Sequence, residues 1–235
     1  MKAPPPSLLR RATAEAVGTA MLLAAVVGSG IMGEQLAGGN VAIALLANTL
    51  ATGAALVALI LTFGPISGAH LNPAVTLADA SQGGVAWRDV PAYVGAQTAG
   101  AFAGVAAAHA MFGKAVFSAS AHARSGWSQG FSELVATFGL VAVIWGCSRS
   151  RATAVPYAVA AYITAAYWFT ASTSFANPAV TLARTATDTF AGIRPDDAPL
   201  FVGAQLFGAA AATALFRWLM PAAAKEVAVP QPGEP

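Results

Sequence analysis

Charge is the first thing this sequence lacks. Only 9% of its 235 residues are Asp, Glu, Lys or Arg, while 57% are hydrophobic. A soluble domain carries roughly 25% charged residues, so the deficit excludes a soluble surface for a chain of this size. The net charge of +2 is too small to point to nucleic acid as a partner. There is one cysteine, Cys147, which excludes an internal disulfide. It stands in an apolar run and reads as a small buried hydrophobe. With three histidines and that one cysteine, no metal-ligand spacing is present. No nucleophile, base and acid converge either, so neither an enzyme nor a cofactor is expected.

Long apolar stretches are what the chain has instead. A bilayer core of about 30 Å needs roughly 20 apolar residues in helix. Six segments qualify, at about 12–33, 41–63, 90–112, 130–148, 153–172 and 198–220. The first is too long for a signal peptide and has no cleavage pattern. Residues 1–11 form a tail with Lys2, a Pro4-Pro5-Pro6 run, Arg10 and Arg11. Residues 221–235, rich in proline and charge, read as a disordered tail. Two further apolar segments start at Asn72 and Asn177. Each is too short to span and reads as a re-entrant half-helix. With the N-terminus inside, Lys2, Arg10, Arg11, Arg88, Arg149, Arg151, Arg217 and Lys225 fall inside; Lys114, Arg124, Arg184 and Arg194 fall outside. That bias places both termini in the cytoplasm and the chain in the inner (plasma) membrane.

The sequence also repeats itself. Glu15-Ala-Val-Gly-Thr19 matches Glu133-Leu-Val-Ala-Thr137. Asn72-Pro73-Ala74-Val-Thr-Leu-Ala78 recurs unchanged as Asn177-Pro178-Ala179-Val-Thr-Leu-Ala183. Val94-Gly-Ala-Gln97 recurs as Val202-Gly-Ala-Gln205. The matches keep their order, so the chain is two copies of one unit, at 12–125 and 126–220. Three spans per unit give the copies opposite orientations. Broken hydrophobic segments in inverted repeats mark a transport path.

Asn-Pro is a helix start with a mechanism. The Asn side chain accepts from N–H groups of the first turn, and proline fits the first helical position. Each Asn is then expected to present its NH2 donors to a lumen. Two half-helices starting near the membrane centre aim their positive dipole ends at one another. Cations and protons meet a positive potential there, and a water held oxygen-inward by Asn72 and Asn177 breaks a proton-conducting chain. The stretches Ser67–Leu71 and Thr173–Ala176 are expected to be non-helical. Free carbonyls at membrane depth are tolerated only beside an aqueous path, where Gly68, Ala69, His70, Leu71, Thr173, Phe175 and Ala176 would line a rail of acceptors. Gly95, Gly100, Gly104, Gly203 and Gly208 suit close helix contact.

Ser67-Gly-Ala-His-Leu-Asn-Pro-Ala-Val-Thr76 resembles the first signature loop of the major intrinsic proteins, the aquaporin family. The resemblance covers about residues 10–220. It implies an all-α membrane protein: six transmembrane helices plus two re-entrant half-helices in an inverted-repeat hourglass, assembled as a homotetramer in the lipid bilayer. Glu15 and Glu133 resemble the family carboxylates that brace the two loops. For Glu15 the competing partner is Arg11, four residues away. His70 stands where the family places a pore-lining histidine, and the Ala-Gln pairs on the third and sixth spans also fit.

One position departs from the family. Most members carry an arginine directly after the second Asn-Pro-Ala, where this chain has Val180. Spacing from the two Asn residues transfers the four filter positions to Thr52, Ala165, Ser174 and Val180. That set has no aromatic ring and no charge, so a wide, weakly polar filter is expected. It suits water, small neutral hydroxylated solutes such as glycerol, and urea. The combination resembles a bacterial branch associated with arsenic resistance, which makes arsenite or its methylated oxyacids the leading solute. A generic water and glycerol channel with relaxed selectivity is the alternative. Arg184, four residues after Val180, has three options: restoring charge at the outer mouth, pairing with Asp188, or reaching the headgroups. A coupled transporter would need ionisable residues at the central site. The segments His70–Ala74 and Ser174–Val180 hold one histidine and no acid.

Overall fold

The computed structural model describes residues 6–220. Among these the chain forms eight α-helices and no strand. They are α1 (Leu8–Leu36), α2 (Val41–Ser67), α3 (Pro73–Ser81), α4 (Val90–Met111), α5 (Trp127–Ser150), α6 (Val155–Phe169), α7 (Pro178–Arg184) and α8 (Ala198–Leu219). The proline-rich start, with Lys2, and the tail 221–235, with Lys225, lie outside the described residues, apart from Pro6 onward.

Helix ends differ from the expected spans for local reasons. α1 starts at Leu8 rather than near residue 12, because Ser7 caps it by accepting from Arg10 N–H at 3.4 Å. Arg10 and Arg11 therefore belong to the first turns of the helix and not to a tail. α2 continues through Pro65 to Ser67, so the irregular stretch starts at Gly68, whose φ of +92° ends the helix. α6 stops at Phe169, three residues short of the expected end, which lengthens the loop before Asn177.

α1, α2, α5 and the segment Pro195–Leu219 that contains α8 are long and apolar enough to cross a membrane. α6 is short of that by length, at 15 residues. α4 is built largely of alanine and glycine and holds Gln97 and His109 in its interior. Both take their places by packing: α4 runs against α1, and α6 against α2 and α5. α5 and α8 repeat the α1–α4 pairing in the second half.

Those two pairings depend on absent side chains. A Cβ on Gly100 would stand 2.2 Å from the Ala16 carbonyl oxygen, and one on Gly104 2.2 Å from that of Ala20. At Gly208 the Leu134 carbonyl would be 2.5 Å away. Small residues here let helix backbones touch. Gly95 and Gly203 were expected to act in the same way, but nothing lies within 4 Å of a Cβ at either, so neither is a helix contact point within the described chain. Cys147 is only half-buried, at the edge of α5.

Candidate functional site

The two half-helices begin as the sequence chemistry requires. Asn72 Oδ1 accepts from Ala74 N–H at 2.9 Å; Asn177 Oδ1 accepts from Ala179 and Val180 N–H at 3.0 and 3.3 Å. Pro73 and Pro178 take the first helical positions. The NH2 groups are only half free. Asn72 Nδ2 donates to the Ala176 carbonyl and Asn177 Nδ2 to the Leu71 carbonyl, each at 2.7 Å. One donor on each Asn thus ties the two halves together, and one remains for a solute. Pro73, Ala74, Pro178 and Ala179 are buried behind the Asn pair and do not face the cavity.

The loops leading into the half-helices share one backbone pattern. Gly68, Ala69 and Leu71 have φ of +92°, +47° and +50°; Thr173, Ser174 and Ala176 have +60°, +50° and +48°. Among the described residues these five non-glycine positions are the only ones with positive φ. Each costs of order 1–3 kcal/mol and persists only where its surroundings over-determine it.

The over-determining group in each loop is a buried glutamate. Glu15 accepts from Ser67 Oγ, His70 N–H, Leu71 N–H and Gln97 Nε2 at 2.6, 3.0, 2.6 and 2.7 Å. Glu133 accepts from Ser172 Oγ, Phe175 N–H, Ala176 N–H and Gln205 Nε2 at 2.6, 2.8, 2.8 and 2.6 Å. Both carboxylates are fully buried. Gln97 and Gln205 also donate to Thr76 and Thr181, whose hydroxyls return to the Asn72 and Asn177 carbonyls. Arg11 does not compete for Glu15; it pairs with Asp89 at 2.9 Å.

A cavity of about 320 Å³ runs past both Asn residues. Gly68, Ala69, His70, Leu71, Phe175 and Ala176 line it, together with Thr52, Ser174 and Val180. The carbonyls of residues 68–70 and 173–175 accept no hydrogen bond from other described residues, which leaves acceptors for a solute. The Leu71 and Ala176 carbonyls are taken by the Asn pair. His70 faces the cavity with Nδ1 3.1 Å from Thr76 Oγ1 and Nε2 3.7 Å from Asp79, an acid in the wall that the motif reading missed. His109 is buried against the Ala115 carbonyl and Thr187, away from the cavity.

Two expectations about the wall need correction. Ala165 faces outward, exposed, and does not line the cavity. The wall face of α6 is Val155, Val159, Ile163 and Tyr167, spaced by four, and two residues along a helix turn a side chain to roughly the opposite side. Tyr167 stands in place of Ala165, its hydroxyl 3.3 Å from Thr52 Oγ1. Thr173 is also outside the wall; its Oγ1 accepts from Arg124 at 3.3 Å. The wall also carries charge. Arg184 lines the cavity, fully buried, with its guanidinium carbon 3.3 Å from the Phe175 ring centroid. It makes no ion pair with Asp188, whose carboxylate accepts from Ala121 N–H instead.

Comparison with known proteins follows the same lines. A family model described as "Major intrinsic protein" matches residues 3–165. The chain is 58% identical over 213 residues to "Aquaglyceroporin AqpS" of Rhizobium meliloti (strain 1021), covering 91% of each. It is 42% identical over 130 residues to "Probable aquaporin NIP7-1" of Arabidopsis thaliana, where the match spans 46% of the relative's length. The fold matches the aquaglyceroporin structure from Plasmodium falciparum with a TM-score of 0.72 at 21% identity, over 92% of this chain and 98% of that one. The chain belongs to the major intrinsic protein family, as an aquaglyceroporin-type membrane channel for water and small solutes and not as an enzyme.

Proposed function

We propose that this channel passes bulky neutral hydroxylated solutes, with arsenite or its methylated oxyacids as the leading cargo beside glycerol and water. The observation that carries this reading is Val180 in the cavity wall directly after the second Asn-Pro-Ala. An apolar side chain there leaves the passage open beside Thr52 and Ser174, where an arginine would fill it. Arsenite is a weak acid and is neutral at pH 7, so it meets the central dipole barrier as a polyol does. The free carbonyls accept from its hydroxyls, and Asn72 and Asn177 donate to it.

Tyr167 and Arg184 favour a second reading, a general water and glycerol channel, because both narrow and polarise the wall at the Ser174 end. In either case Asn72 and Asn177 form the central constriction, and Glu15 and Glu133 hold the loops that present it. The chain is placed in the inner membrane with both termini cytoplasmic. The repeats run over 12–125 and 126–220, and four copies assemble with one pore each. Uptake of arsenite, glycerol and water by proteoliposomes tests the choice of solute. Arsenite uptake well above that of empty vesicles is expected. Uptake equal to empty vesicles, with glycerol still entering, selects the second reading.

A further inference from the structure

The repeated heptad ends on opposite charges. Asn72-Pro-Ala-Val-Thr-Leu-Ala78 is followed by Asp79, and its copy Asn177-Pro-Ala-Val-Thr-Leu-Ala183 by Arg184. Among the described residues that line the cavity, Asp79 is the one acid and Arg184 the one arginine or lysine. Each stands seven residues beyond its Asn, about 10 Å along the half-helix at roughly 1.5 Å per residue. They stand toward opposite mouths. Ala80, beside Asp79, belongs to an apolar cluster against which Leu8, at the start of α1, packs. Arg184 bonds the Ala191 carbonyl, and Ala191 lies beside Gly30, near the other end of α1.

Asp79 has a structural task that uses half of its carboxylate. Oδ2 accepts from Val85 N–H at 2.7 Å and closes the turn after α3, where Gly84 N–H donates to the Asp79 carbonyl at 3.1 Å. Gly84 lets the carboxylate come this close, since a Cβ there would stand 2.1 Å from Oδ2. Oδ1 has no hydrogen-bond partner among the described residues, and the side chain is 27% exposed. His70 Nε2, 3.7 Å from Oδ2, is too far for a hydrogen bond. The turn needs one acceptor, which a neutral side chain could supply. The second oxygen and the negative charge are left over, in the wall of the passage.

The rest of the passage favours anions. Both half-helices aim their positive ends at the centre, and helix N-termini attract anions. Arg184 adds a positive charge toward the far mouth. On the side of Asp79, Arg149 donates to Gln82 Oε1 at 3.3 Å and brings a further cation near the mouth. Glu15 and Glu133 lie behind the loops, outside the wall, and each is taken up by four donors. These features turn cations back but draw in a small anion, so a barrier to anions has to come from elsewhere. We propose that Asp79 is that barrier: at its mouth the carboxylate repels small monovalent anions such as nitrate before they reach the Asn pair, and neutral solutes pass. The assignment rests on the channel reading above.

The test is a proteoliposome assay at neutral pH of Asp79→Asn and Asp79→Glu, with Glu34→Gln, on the exposed surface of α1, as a control. Nitrate, potassium, water and glycerol fluxes are measured on each. Asn keeps an oxygen for Val85 N–H and removes the charge. Asp79→Asn is expected to raise nitrate flux at least about fivefold over the native protein, the Boltzmann weight of a unit charge removed from about 4 Å even in bulk water. Potassium leak and water flux stay native. Asp79→Glu keeps nitrate out, and Glu34→Gln behaves as the native protein. Native nitrate flux in Asp79→Asn overturns the proposal, and so does nitrate entry through Asp79→Glu at the Asp79→Asn rate. A rise in nitrate matched by potassium also overturns it, since a loosened mouth gives that result. If Asp79→Asn does not reconstitute, Asp79→Ser, which also offers the turn an oxygen, decides by the same readings. A native protein with water flux no higher than empty vesicles overturns the channel reading instead.

Discussion

Replacing Glu133 by Gln changes one atom and tests how the second loop is held. Oε1 accepts from Ser172 Oγ and Phe175 N–H; Oε2 accepts from Ala176 N–H and Gln205 Nε2. In the variant one of those oxygens becomes an NH2 group that faces two donors. Whichever orientation the amide takes, one buried backbone N–H, that of Phe175 or of Ala176, loses its acceptor, whereas the Ser172 hydroxyl and the Gln205 amide can turn an oxygen towards the new NH2 group. Leaving a buried donor unmatched costs about 1–3 kcal/mol. The strained φ values at Ser174 and Ala176 add to it, because the group that held them no longer does so. For a chain of this size each kcal/mol moves a thermal midpoint by about 2–4 °C, so a drop of at least about 2 °C is expected. The assay is thermal unfolding of the detergent-solubilised protein, with water flux per reconstituted channel measured alongside. Flux falls because Ala176 and its carbonyl, the partner of Asn72, shift. Glu15→Gln should do the same through His70 and Leu71. A native midpoint together with native flux in both variants would refute the bracing role.

Further outcomes follow from the packing and from the wall. Gly104→Val should destabilise the α1–α4 contact by about 1–3 kcal/mol through overpacking, while Gly95→Val, where a Cβ meets nothing, should leave the thermal midpoint unchanged. Asn177→Asp cannot donate to the Leu71 carbonyl and places an acceptor against it; water and glycerol flux should fall together, measured by light scattering. Tyr167→Ala removes the ring from the wall and should raise permeation of solutes larger than glycerol, while Ala165→Phe, on the outward face, should leave glycerol flux unchanged.

The parts of the site built from repeated local chemistry could be read before the structure was known. Asn-Pro starts a helix by its own capping and ring geometry, and two identical heptads fixed the pairing of Asn72 with Asn177. The glutamates were readable because an acid in an apolar segment needs donors, and the loops supply them. What escaped depended on exact register or on contacts between distant segments. Ala165 failed as a wall residue because the cavity face of α6 passes through Ile163 and Tyr167, and a position two residues from each points to the opposite side of the helix. Arg124 stands in a loop with no periodicity, so nothing local marks its bonds to Ser172 and Gly192. The exchange of Asn donors with opposite-loop carbonyls joins residues more than a hundred positions apart. Arg184 was visible as an option four residues after Val180, but only the fold shows its side chain on Phe175 with its outer nitrogens free.

The most direct measurement is parallel water, glycerol and ion flux through the purified native protein in proteoliposomes. Water and glycerol should equilibrate well faster than in empty vesicles, while a proton or potassium gradient across the same vesicles decays at the empty-vesicle rate. Glycerol entry at the empty-vesicle rate, or a proton leak that rises with protein content, would contradict a passive channel closed to ions by the Asn72–Asn177 constriction.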